Sequence, residues 1–193
     1  MNAVERAKKI LLTPSAEWEV IKGETPTVVD LFTRYVMILA AIPAVASFLG
    51  WSVLGYSAMG TTYRVPIAEG LANVVLTYVL TLGSVYAMAL VIDFVAAHFQ
   101  GERDFMQALK IAAYFPTSWW IAGIFSLMPT LAILSVAGGL HSLWILYTGL
   151  GPLMQIPEDR RANYSGVIVL VAIFLTIIIL IVGMPLATPT NKP

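Results

Sequence analysis

The stretch IAAYFPTSWWIAGIFSLMPTLAILSVAGGLHSLWILYTGLGPLMQIP, Ile111 to Pro157, runs forty-seven residues without an Asp, Glu, Lys or Arg. As one helix rising about 1.5 Å per residue it would reach about 70 Å. A bilayer's hydrocarbon core is about 30 Å thick and takes about 20 residues, so the stretch must fold back as a hairpin of two transmembrane helices. Working outward, the hairpin divides into Leu109–Ser126 and Pro129–Met154, and further charge-poor runs fall at Leu31–Ser52, Leu71–Ala97 and Gly166–Leu186. The expected fold is all-α: a polytopic membrane protein with a five-transmembrane-helix bundle over 31–186, a short amphipathic segment over 1–30 and a short outside tail over 187–193.

Composition agrees. Mean hydropathy is +0.82 and charged residues make up 11% of the chain, which leaves no room for a soluble domain once five spans of about 20 residues are set aside. With zero cysteines there are no disulfides, zinc-thiolate sites or thiol chemistry. Met1 to Leu12 is amphipathic and charged, without the uninterrupted apolar core of a cleavable signal peptide.

The formal net charge is zero, but the charges are unevenly placed. With the N-terminus in the cytoplasm, Arg6, Lys8, Lys9, Lys22, Arg34, Arg103, Lys110, Arg160 and Arg161 lie inside, against Arg64 and Lys192 outside. Nine against two follows the positive-inside rule, so the chain is expected to be multi-pass in the cell's inner membrane, N-terminus cytoplasmic and C-terminus outside.

The N-terminal segment is too polar to span. Val4, Ala7 and Leu11 recur at helical spacing beside Arg6 and Lys9, a pattern suited to a helix in the headgroup plane, with Arg6, Lys8, Lys9 and Trp18 as candidate lipid-surface residues. The alternative is that the segment packs on the cytoplasmic ends of the bundle. Thr13-Pro14 reads as an N-cap followed by proline at the first helical position.

Among the spans, Ala132, Ser135, Gly139, Ser142 and Gly149 share one face of the fourth, the small-residue pattern that lets helices approach closely. The fifth is apolar on nearly every side, which suits the edge of the bundle. Pro43 and Pro116 fall inside spans and each frees a carbonyl four residues earlier.

Ionisable and polar groups at membrane depth are the default place to look for function. Asp93 and Arg34 sit at similar depth near the cytoplasmic ends of the second and first spans, so a pair between them is expected, structural or functional. His141 lies near mid-depth and either relays a proton or hydrogen-bonds a neighbouring helix. Asn73, Thr77, Thr81 and Ser84 form a polar stripe on the second span. No catalytic residues, cofactor or metal site are expected: His98 and His141 lie at opposite depths, and no metalloprotease, serine-nucleophile or phosphate-loop motif occurs. Nothing marks a nucleic-acid surface.

Several pieces together resemble the Yip (Ypt/Rab-interacting protein) domain family. They are Gly101 with Phe105-Met-Gln-Ala-Leu-Lys110, Ala113-Tyr114 and Pro116, then Pro129, the run His141-Ser-Leu-Trp-Ile-Leu-Tyr-Thr-Gly-Leu150, and the opening Ile10-Leu-Leu-Thr-Pro-Ser-Ala-Glu-Trp18 with Ile21. The resemblance implies five membrane helices and a cytoplasmic N-terminus. Eukaryotic members bind prenylated Rab GTPases, associate with one another and act in vesicle traffic. Their Asp-Leu-Tyr-Gly-Pro motif corresponds here to Asp30-Leu31-Phe32-Thr33-Arg34, which loses Gly-Pro and with it the sequence basis for binding a Rab GTPase.

Two functions are compatible with these residues. The favoured one is a non-enzymatic membrane protein that organises lipid or partner membrane proteins, itself included as a homo-oligomer. The other is a small transporter or channel subunit, which requires the Asn73–Ser84 stripe and His141 to converge on a cavity.

Overall fold

The computed structural model describes residues 2–58 and 61–183; the expected tail over 187–193 lies outside them, as does the side chain of Ala132. Helix α1, Ala3–Leu12, starts where the Asn2 side chain accepts the Glu5 N–H at 2.7 Å. Pro14 opens α2, Pro14–Gly23, as proline at a first helical position should. A capping box starts the next helix: the Thr27 hydroxyl accepts the Asp30 N–H at 3.1 Å and the Asp30 carboxylate accepts the Thr27 N–H at 3.2 Å.

That helix, α3, runs over Val28–Leu54, with π-helical turns at Phe32–Val36 and Leu49–Leu54 and Pro43 inside it. It stops at Gly55, whose φ of 80° is a left-handed value that glycine alone adopts freely; a Cβ there would also come within 2.7 Å of Arg64 Cγ. A small antiparallel hairpin follows, β1 (Tyr56–Ala58) with β2 (Thr61–Tyr63), Tyr56 opposite Tyr63. Then come α4 (Ile67–Ala96, 30 residues), α5 (Phe105–Tyr114), α6 (Thr117–Ala122), α7 (Ser135–Met154) and α8 (Glu158–Gly183).

The protein is all-α apart from the hairpin. Among the described residues three helices are long and apolar enough to cross a membrane: Val28–Leu54, Ile67–Phe99 and Glu158–Gly183. The charge-free stretch folds differently from two continuous helices. Its first half breaks at Phe115–Pro116 into α5 and α6 and continues as 3-10 turns over Gly123–Leu127. Its second half begins as 3-10 turns over Pro129–Leu134 before α7. Proline removes a helical hydrogen bond and clashes with the preceding turn, which accounts for the first break.

Helix α4 packs against α3, α5 and α8, α6 against α7, and α2 against α7. The largest fully buried side chains cluster toward the end that carries α1 and α2, here the cap end: Trp18, Ile92, Leu109, Leu146, Leu150 and Tyr164. Helix α8 stands at the edge. Only 11% of its most apolar window is buried, and Leu170, Phe174, Leu180 and Ile181 face outward.

Candidate functional site

The cap end is built around charged groups that the protein removes from solvent. Arg6, only 4% exposed, binds Glu17 through one terminal nitrogen and Glu24 through the other, and its guanidinium carbon lies 5.5 Å from the centroid of the Tyr114 ring. An arginine is buried only when paired, and here α2 and the loop after it supply both carboxylates. Trp18 is 0% exposed. Its indole N–H donates to Ile145 O at 3.1 Å and Thr148 Oγ1 at 3.2 Å, and its ring lies on Gly149, where a Cβ would come within 2.6 Å of it.

Lys110, 1% exposed, completes the junction. Its ammonium donates to Ile21 O at 2.9 Å, Lys22 O at 3.2 Å and Gln107 Oε1 at 3.2 Å, while Gln107 Nε2 donates to Lys22 O at 3.1 Å. The last carbonyls of α2 carry the negative end of its dipole, and although Ile21 O also accepts the Glu24 N–H at 3.2 Å, a cation from α5 is favoured there. The lipid-surface assignment is thereby corrected for Arg6 and Trp18, which belong to the interior. Lys8 and Lys9 are exposed, Lys9 Nζ lying 3.3 Å from Glu5.

The expected Arg34–Asp93 pair does not form. Asp93 accepts from Arg103 Nε at 3.2 Å and Nη2 at 2.9 Å, whereas Arg34, its side chain 82% exposed, reaches Asp30 one turn back at 3.3 Å. Similar depth did not give similar direction around the helices. Arg103 is returned to α4 by a turn with Gln100 in the left-handed region and Gly101 so close to α7 that a Cβ would lie 2.7 Å from Met154 O.

His141, half-buried, places Nδ1 3.1 Å from Ser118 Oγ. Beside it Ser142 Oγ accepts the Trp119 N–H at 2.9 Å, and Ser135 Oγ donates to Ala122 O at 2.9 Å. Ser142 thus serves an N–H that the break before α6 leaves unpaired, and Ser135 a carbonyl at the other end of α6. On the α5 side Thr117 Oγ1 donates to Tyr114 O at 2.6 Å and lies 2.7 Å from the Tyr35 hydroxyl. Gly139 lies under the Trp119 ring, 2.8 Å from an added Cβ. Gly138, absent from the sequence reading, is tighter still: a Cβ would lie 2.7 Å from Ser118 O.

The middle of the helical body, away from the cap, is open. A cavity of about 490 Å³ is lined by residues of α3, α4, α6, α7 and α8, among them Ala44, Thr77, Thr81, Trp119, Leu140 and Ala172. No Asp, Glu, Lys, Arg or His lines it. Five of its hydroxyls donate within their own helix: Thr77 to Asn73 O, Thr81 to Thr77 O, Ser84 to Thr81 O and Thr176 to Ala172 O, each at 2.8 Å, and Ser47 to Ala44 O at 3.0 Å. His141 and Asn73 lie outside the lining, and Asn73 instead donates to Gly183 O. Among the described residues no three His, Asp or Glu side chains gather to hold a metal.

Long helices with outward-facing Leu, Ile, Val and Phe around an uncharged cavity are those of an integral membrane protein of the all-α class. The chain belongs to the Yip1 domain family, which matches residues 8–180. It is 28% identical over 177 residues to the inner membrane protein YohC of Escherichia coli K12, covering 86% of this chain and 91% of that one. The same identity and coverage hold for YohC of Escherichia coli O6:H1 strain CFT073. No solved structure matches.

Proposed function

We propose that this chain is a five-span inner-membrane protein, N-terminus cytoplasmic, that organises lipid or partner membrane proteins and performs no chemistry of its own. The observation that carries the reading is the division of labour among its polar groups. Arg6, Lys110, Asp93 and His141 all hold partners that tie one element to another, while the cavity is left without charge. The inner-membrane location is taken from the name of the Escherichia coli relatives. The five spans take α5 with α6, and the turns before α7 with α7, as interrupted crossings; backbone groups freed at membrane depth need neighbouring partners, and Ser142, Ser135 and Thr117 supply them.

The transporter reading draws on Thr77, Thr81 and Ser84, which do line the cavity. It lacks the ionisable group that a proton or ion path uses at depth. Reconstitution into vesicles with a trapped pH dye tests both. The expected result is proton leakage equal to that of protein-free vesicles, with vesicle size and shape changing as protein is added; unchanged vesicles with flux above background would reverse the choice. A reporter fused to the C-terminus should be active only outside the cytoplasm.

A further inference from the structure

We infer that the cavity is a binding site for one alkyl chain of a membrane lipid, entering between α7 and α8. The inference rests on the membrane-organising reading and names what the protein would hold. At about 490 Å³ the cavity falls within the range of sites that take small ligands. Its walls are mostly aliphatic and aromatic, the hydroxyls of Ser47, Thr77, Thr81, Ser84 and Thr176 already donate to backbone carbonyls, Ser142 accepts the Trp119 N–H, and it carries no charge. Water finds few partners in such a space, and apolar cavities stay dry. The surrounding bilayer supplies alkyl chains in excess.

The mouth follows from the helices that make it. Val136 and Leu140 of α7 and Ile173, Ile177 and Leu180 of α8 line the cavity and are also exposed. At the cap end the same two helices are closed together: the Arg161 guanidinium packs flat on Gly151, where a Cβ would come within 2.5 Å of Nε. At the other end α8 returns to α4 through Gly183 and Asn73. Between these two attachments α8 leaves the gap. A chain therefore reaches it from the leaflet away from the cap, with Trp119 and Trp120 as the back wall.

The test uses the full chain in vesicles of phosphatidylethanolamine with a minority of phosphatidylglycerol, containing a phosphatidylethanolamine with a diazirine at the end of one acyl chain. Photolabelling should concentrate on peptides carrying Thr77–Met88 and Ala172–Leu180 and should saturate with probe. It should fall about tenfold in the double variant Ala44→Phe/Ala172→Phe, where rings take up the space of the chain. Label spread equally over outward residues beyond those two peptides, such as Leu71, Ile133 and Leu170, or unchanged in a folded double variant, would overturn the site. Should that variant not fold, competition in the native protein by the same lipid without diazirine decides: labelling that does not saturate or compete rules the site out. Because flux is measured separately, loss of this site leaves the non-transporting reading standing.

Discussion

The two regions of this protein use polarity in opposite ways. At the cap end, charged and hydrogen-bonding side chains are drawn inside and spent on fastening: Arg6 to two carboxylates, Lys110 to the end of α2, Trp18 to α7. In the middle, about 490 Å³ is left unfilled and uncharged. There α8 is attached near its two ends, by Arg161 on Gly151 and by Gly183 to Asn73. The cap end should therefore respond sharply to single substitutions and the cavity should tolerate them.

The largest effect is expected for Trp18→Ala, which empties a fully buried site and should cost about 3–5 kcal/mol, seen as a lower Tm in detergent. Arg6→Ala should come close, at about 3–5 kcal/mol, because it strands Glu17 in the interior. The double change Arg6→Leu/Glu17→Leu should recover most of that loss; additive losses would mean the two do not interact. Gly149→Ala forces a methyl against the indole and should cost about 1–3 kcal/mol. A smaller ring or chain at position 18 should suppress that penalty, which a two-by-two set of melts would show.

The cavity makes the contrasting case. Ala172→Phe should change Tm by no more than the equivalent of about 1 kcal/mol in either direction, since the added ring enters open space; a loss as large as that of Trp18→Ala would erase the distinction between the two regions. Smallest of all is Arg34→Ala. Its pair with Asp30 is exposed, and exposed ion pairs contribute about 0–1 kcal/mol. A double-mutant cycle between Arg34 and Asp93 should give zero coupling, whereas one between Arg103 and Asp93 should not.

What the chain discloses in one dimension follows from the same physics. Long apolar runs are local, so the helices of α3, α4 and α8 are readable directly, and Pro116 marks the break before α6 because a missing N–H is a property of one residue. Direction around a helix is not readable in this way: spacing along the chain pairs Asp93 with Arg34, but Arg103, ten residues on, folds back to it. The N-terminal segment misled for a related reason. Arg6 beside Val4 and Leu11 looks like a membrane-surface helix until Glu17 and Glu24 are brought to it, and a 3.6-residue period says nothing of partners on another element. Lys110 and Gln107 were missed as anchors, although a lysine flanked by Leu109 and Ile111 was a visible signal. The hairpin at Tyr56–Tyr63 has β-branched and aromatic residues but too few of them to stand out. A cavity leaves no trace in sequence at all, being what the side chains fail to fill.

The bond from Trp18 to Ile145 spans 127 residues, and this sets an order of events during synthesis. The cap is made well before Lys110, Ile145 and Gly149, which receive it. At about 5–20 residues per second, roughly 6–25 s pass between the completion of α2 and the emergence of the last of these positions. Through that interval Trp18 lacks the residues that bury it, whereas Arg6 already has Glu17 and Glu24 beside it. A segment made before the helices that receive it thus reaches its place only after them, and its docking reports that they have arrived.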